Sequence, residues 1–294
     1  MFRPSPSIFV LATCVALGFC ASLQAVASFG TNPTNIQMYI YMPDKLATKP
    51  AIIVALHPCG GTGPQWYAST KLPSYADTNG FILIYPSTSN FNHCWDVQSV
   101  GSLTHGQGGD ALGIISMVNY TLSKYSGDPA RVFAMGGSSG AMMTNVLAGS
   151  YPDVFEAGAA FSGTAHACFA GAASATPATP NQTCQMGLEH TAADWGNFAH
   201  NSYPGYTGRR TRMMVFHGLA DGLVRPQCAI EALKQWSYVL DVPWSKNVTG
   251  FPSAAYTQEI YGDGTKLQGF FGQGVGHIAP VNEPVMLKFF GLTA

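Results

Sequence analysis

The pentapeptide Gly136-Gly137-Ser138-Ser139-Gly140 fits the pattern G-x-S-x-G and stands between a strand-like run, Arg131 to Met135, and a helix-forming stretch, Ser139 to Ala148. A serine hydroxyl is a poor nucleophile unless it is presented to an adjacent base. A sharp strand-to-helix turn lifts it clear of a sheet, and glycines flank such a turn because the backbones approach too closely for a Cβ. The turn costs about 1 to 3 kcal/mol of backbone strain. The chemistry expected of Ser138 is attack on an acyl carbonyl. Ser139 also carries a hydroxyl but lies off the central position.

Such a serine needs a base, an acid behind the base, and donors for an oxyanion. In strand-turn-helix sites the partners follow in the order serine, acid, histidine. Of His166, His190, His200, His217 and His277, only His277 lies beyond every candidate acid, in the glycine-rich Gly274-Val275-Gly276-His277. Asp221 follows the apolar run MMVFHG by two loop residues and is the expected acid; Asp263 also follows a strand, but Gly262-Asp263-Gly264 reads equally well as a hairpin turn. The Ser139 amide, directly after the nucleophile, is the expected first oxyanion donor. The second is expected from His57-Pro58-Cys59-Gly60-Gly61, which follows the apolar run AIIVAL. Pro58 has no N–H, so the amide is that of Cys59, with Gly60 behind it.

Groups so far apart in sequence need a scaffold that gathers them. Ile36 to Met42 alternates like a half-buried strand, whereas Ala51 to Leu56 and Phe81 to Tyr85 are continuous apolar runs of strands buried on both faces. Further strands are expected at Arg131 to Met135, Ala157 to Phe161, Met213 to His217, Tyr256 to Tyr261 and Leu267 to Phe271. Helices are expected at Leu72 to Thr78, Asp110 to Tyr125, Ser139 to Ala148, Ala229 to Leu240 and Pro284 to Phe290. This alternation predicts an α/β fold, a mostly parallel central sheet with helices on both faces. Gly163 to Gly187 is the one irregular stretch, expected to lie as a loop over one end of the sheet.

The 294 residues are 47% apolar and 10% charged, with a net charge of −1. That balance excludes disorder, and without basic runs neither nucleic acid nor an anionic membrane surface is an expected partner. Residues 1–27 read as a signal peptide, with Arg3 before the apolar Ile8 to Ala21 and small residues at Ala21, Ser22, Ala25 and Ala27 placing cleavage between 20 and 27. The apolar run is shorter than the roughly 20 residues of a membrane span. Removal takes away Cys14 and Cys20 and leaves Cys59, Cys94, Cys168, Cys184 and Cys228. Spacing favours bridges from Cys59 to Cys94 and from Cys168 to Cys184, each contributing about 3 to 4 kcal/mol through loop entropy, with Cys228 as a small buried residue on a helix. No Cys/His spacing suits zinc. Sequons at Asn119, Asn181 and Asn247 fit a secreted chain.

With these residues in view, the chain resembles the fungal secreted esterases of carbohydrate esterase family one: acetylxylan esterases first, type-B feruloyl esterases second, and polyhydroxybutyrate depolymerases at a greater distance. The resemblance covers residues 23–294 and is carried by QMYIYMPDKLATKPAIIVALHPCGG, FILIYPST with HCWDV, SLTHGQGGDALGIISMV, GGSSGAMMTNVLAGSYPDVFEAG, HGLADGLVRPQ and GVGH. It implies an α/β-hydrolase fold, a Ser138/Asp221/His277 triad, no cofactor or metal, and a monomer that removes acetyl groups from xylan. Ferulate release from arabinoxylan is the alternative, and a non-catalytic carbohydrate-binding protein on the same scaffold a further one. Many relatives are expected to carry a bulkier residue where this chain has Gly137. Trp95 in HCWDV is a candidate for lining the substrate site, with a core role equally open. Residues 28–294 are expected to form one domain, without a carbohydrate-binding module.

Overall fold

The computed structural model describes residues 21–171 and 182–293. Residues 1–20 of the expected leader and the sequon at Asn181 lie outside the described residues. The strands are β1 (Leu23–Val26), β2 (Gln37–Tyr41), β3 (Ile52–Leu56), β4 (Ile82–Ser87), β5 (Val132–Gly137), β6 (Ala157–Phe161), β7 (Arg212–Gly218), β8 (Trp244–Thr249), β9 (Tyr256–Tyr261) and β10 (Leu267–Gly272). The helices are α1 (Gly63–Ser69), α2 (Leu72–Asn79), α3 (Val100–Leu103), α4 (Gly109–Tyr125), α5 (Ser139–Ser150), α6 (Gln182–Gln185), α7 (Ala192–Asn201), α8 (Gln227–Leu240) and α9 (Glu283–Phe290).

All the strands join one sheet in the order β1-β2-β4-β3-β5-β6-β7-β10-β9-β8. From β4 to β10 neighbouring strands run parallel, and antiparallel pairs close both edges. The continuous apolar runs follow from burial on both faces. Ile52, Val54 and Leu56 of β3 join one core with Ile82, Ile84, Val132 and Ala134, while Ile53 and Ala55 join the opposite core with Leu83, Tyr85, Phe133 and Met135. Helices α4, α5, α7 and α8 cover the first face. Helices α2 and α9 cover the second through Leu72, Ala76, Met286 and Leu287. Parallel strands deliver their C-terminal ends, and the loops after them, to one edge of the molecule. That edge carries residues 57–62, 138, 219–224 and 277.

The structure adds six elements to the sequence expectation: β1, β8, α1, α7, and the single-turn helices α3 and α6, the last inside the stretch from Gly163 to Gly187 expected as a loop. Leu23–Val26, inside the expected leader range, pairs with β2 from Leu23 opposite Tyr41 to Val26 opposite Met38. The small residues that mark a cleavage region also alternate as an edge strand does. Helices α1 and α7 lack a clear apolar stripe, but each opens on a capped threonine. Thr62 accepts from the Gln65 amide, and Thr191 accepts from the Asp194 amide while donating to the Asp194 carboxylate. Both are T-x-x-Q/D capping signals. Strand β8 is polar and almost wholly exposed, and it is held by its ladder to β9 rather than by packing.

Burial has a pH consequence. The side chains of His57 and His166 are shut away from water, and this desolvation lowers both imidazoles to about 4, for His57 against a hydrogen bond to the Pro58 carbonyl. The unfolded chain takes up these protons near 6.5, while the folded chain refuses them down to about 4. Each histidine therefore withdraws up to about 3 kcal/mol of stability as the pH falls through that window. Burial pushes the Asp110 carboxyl up, so its protonation on acidification offsets part of the loss. The melting temperature should fall between about pH 7 and about pH 4.5, and His166→Gln should flatten the slope. A melting temperature that is level or rises on acidification would contradict the account.

Candidate active site

Strand β5 runs into α5 with a single residue at the corner. Ser138 has φ 52° and ψ −118°, a conformation that side chains rarely adopt. Its amide donates to the Phe161 carbonyl at 2.9 Å, and its carbonyl accepts the Met142 amide at 3.0 Å to start the helix. The flanking glycines are obligatory on steric grounds. A Cβ on Gly136 would run into the Gly140 backbone, and one on Gly140 into the Leu56 carbonyl of β3.

Ser138 Oγ stands 2.8 Å from His277 Nε2, in the loop after β10, and His277 Nδ1 stands 2.7 Å from Asp221 Oδ2, in the loop after β7. A carboxylate only accepts, so Nδ1 carries the proton and Nε2 accepts from the serine hydroxyl. Asp221 is buried, and its Oδ1 accepts the amides of Leu223 at 3.0 Å and Val224 at 2.9 Å. Desolvation alone would raise this carboxyl; donors from His217, His277 and the Val224 amide outweigh it and hold the group well below the usual carboxylate range. The arrangement can pass a proton from serine to imidazole and stabilise the resulting imidazolium.

The competing sequence readings separate cleanly in space. Asp263 is exposed and caps its own turn through Thr265. Ser139 is buried, and its hydroxyl accepts the Trp95 amide at 2.9 Å. The amides of Cys59 and Ser139 make no hydrogen bond among the described residues, whereas the Gly60 amide is committed to the Asn92 carbonyl at 2.7 Å. Cys59 is bridged to Cys94, which ties its loop to the segment after β4. The second bridge joins Cys168 to Cys184, and Cys228 is a buried free thiol on α8. Among the sequons, Asn247 and Thr249 are both exposed on β8, while Asn119 is exposed on α4 with its Thr121 hydroxyl buried and donating to the Met117 carbonyl.

Trp95 is not a lining residue. It is 1% exposed and donates its indole N–H to the His57 carbonyl at 2.8 Å, so it braces the loop that carries Cys59. Half-buried Trp66 of α1 instead packs against Gly137, the residue before the serine. A Cβ on Gly137 would lie 3.0 Å from Trp66 Cη2 and 3.4 Å from Ile278 Cγ2, so these two side chains fill the room that a larger residue at 137 would occupy. The unusual Gly137 was the available signal for them.

A mostly parallel sheet with helices on both faces, a strained serine between strand and helix, and an acid and a histidine on loops after later strands define the class as an α/β-hydrolase. The chain belongs to the Esterase PHB depolymerase family, whose sequence profile matches residues 36–235. It is 69% identical over 282 residues to Feruloyl esterase B of Neurospora crassa, covering 96% of this chain and 97% of that protein. It is 68% identical to Feruloyl esterase B of Thermothelomyces thermophilus, covering 96% and 95%. The solved acetyl xylan esterase from Aspergillus awamori superposes with a TM-score of 0.87 at 41% identity, over 92% of this chain and all of that one. The protein is a carboxylic ester hydrolase.

The steric argument gives a direct test. Gly140→Ala should shift Ser138 relative to His277 and lower kcat by about a hundredfold on a nitrophenyl acetate. A near wild-type rate would mean that the turn tolerates the methyl group. Ser138→Ala should lose about six orders of magnitude in turnover, and retention of activity would remove the serine from the chemistry.

Proposed function

We propose that this protein is a secreted serine esterase that releases ferulate from plant cell-wall arabinoxylan. In this reading His277 Nε2 takes the Ser138 proton as Oγ attacks the ester carbonyl, and Asp221 supports the imidazolium. The amides of Cys59 and Ser139 receive the negative charge on the carbonyl oxygen. His277 then protonates the departing sugar alkoxide, leaving an acyl-enzyme, and water repeats the sequence to free the acid. No metal or cofactor enters any step.

The observation that carries the acyl preference is the apolar wall of Trp66 and Ile278 beside Gly137, which suits a flat aromatic acid better than a lone methyl group. Exposed Phe91, Leu219 and Leu223 sit on the loops around the triad. The relatives named feruloyl esterase B are also far more similar to this chain than the acetyl xylan esterase, which reverses the order of preference drawn from sequence. Acetate release from xylan is the second reading, favoured by the close superposition on that structure. The disulfides suit an oxidising compartment. Because β1 belongs to the sheet, leader removal before Leu23 fits better than removal at residue 27.

Methyl ferulate should be hydrolysed with a higher kcat/KM than the acetyl groups of acetylated xylan. Trp66→Ala should lower kcat/KM for methyl ferulate by about tenfold and change that for a nitrophenyl acetate much less. Faster acetate release by the wild type would favour the second reading.

A further inference from the structure

His217, next to last in β7, has its side chain fully buried four residues before Asp221. Its Nε2 lies 2.9 Å from the Val224 carbonyl and 3.4 Å from Asp221 Oδ2, the same oxygen that receives His277. A carbonyl only accepts, so Nε2 carries the proton and donates, while Nδ1 is buried with no partner among the described residues. Val224 is therefore held at both ends, its carbonyl by His217 and its amide by Asp221 Oδ1.

We propose that His217 is a positioning residue of this esterase: its N–H locks the loop that aims Asp221 and takes a share of the Asp221 charge, limiting how strongly the carboxylate supports the His277 imidazolium. The proposal rests on the assignment of Ser138, His277 and Asp221 made above. Two imidazoles on one carboxylate oxygen divide its negative charge, and only one of them faces the serine. Removing the remote donor leaves more of that charge to His277, so His277 should hold its proton to higher pH and the loop should lose its brace.

Few other groups face this carboxylate. From α8 comes the Cys228 thiol, which burial and the Asp221 charge push up to about 12, so that it stays neutral, donating to the Cys184 and Gln185 carbonyls. The loop itself brings the Leu223 and Val224 amides, and Arg225 is exposed. From the elbow comes only the Ser138 hydroxyl, through His277. No competing ionisation therefore obscures the effect of His217.

The experiment is the pH profile of kcat/KM and the separate kcat and KM values for His217→Phe and His217→Gln on a nitrophenyl acetate, with melting temperatures alongside. His217→Phe should move the acid limb up by about one pH unit and lower kcat about tenfold with KM little changed. His217→Gln, whose amide can donate to Val224, should restore most of both. If His217→Phe does not fold, His217→Asn, with a shorter reach, should show the same upward shift. An acid limb that stays in place, whether at full or reduced rate, or equal losses in Phe and Gln variants of lowered stability, would overturn the proposal and leave His217 a core residue. Failure of the triad assignment itself would appear separately, as activity in Ser138→Ala.

Discussion

A carboxylate held out of water is the feature on which the catalytic end of the molecule depends. Asp221 is buried, and an isolated charge there would be lost to protonation. It stays ionised because different parts of the chain converge on it: the loop amides of Leu223 and Val224, His277 from beyond β10, and His217 from β7 itself. The same bonds orient the histidine, and the histidine in turn meets Ser138 only because β5 turns sharply into α5. The parallel order of β5, β6, β7 and β10 brings all three to one edge. The triad is thus a consequence of sheet topology as much as of side-chain chemistry.

The opposite side of the serine is rigid for a different reason. Cys59 sits in a loop bridged to Cys94, and Gly60 is bonded to Asn92. Beneath the loop the Trp95 indole holds the His57 carbonyl, and the Trp95 amide holds Ser139 Oγ. The amides of Cys59 and Ser139, the proposed oxyanion donors, are therefore held in place by contacts from the segment after β4. Preorganised donors avoid reorganisation during reaction, which is where such sites gain most of their effect.

Much of this could be read in advance from local pattern. The strands that supply the core are apolar runs with no other reading, and the glycines around Ser138 announce a turn that admits no Cβ. His277 followed from chain order, Asp221 from its place just past a strand, and the two disulfides from loop spacing. What sequence did not disclose were contacts across the sheet. For Trp95 a lining and a core role stayed equally open because pattern cannot tell a buried indole from an exposed one, whereas Trp66 reaches Gly137 from a helix about seventy positions earlier in the chain. His217 was passed over because its position before Asp221 ruled it out as the base, and its role is visible only through its bond to Val224. Strand β8 escaped because edge pairing needs no apolar pattern.

The central claim is that Ser138, activated by His277, is the nucleophile. Peptide mapping by mass spectrometry after treatment with a fluorophosphonate tests it most directly, because the reagent forms a stable bond only with an activated serine. The adduct should appear on Ser138 alone and be lost in His277→Ala. An adduct on Ser139, or undiminished labelling of Ser138 without His277, would contradict the account.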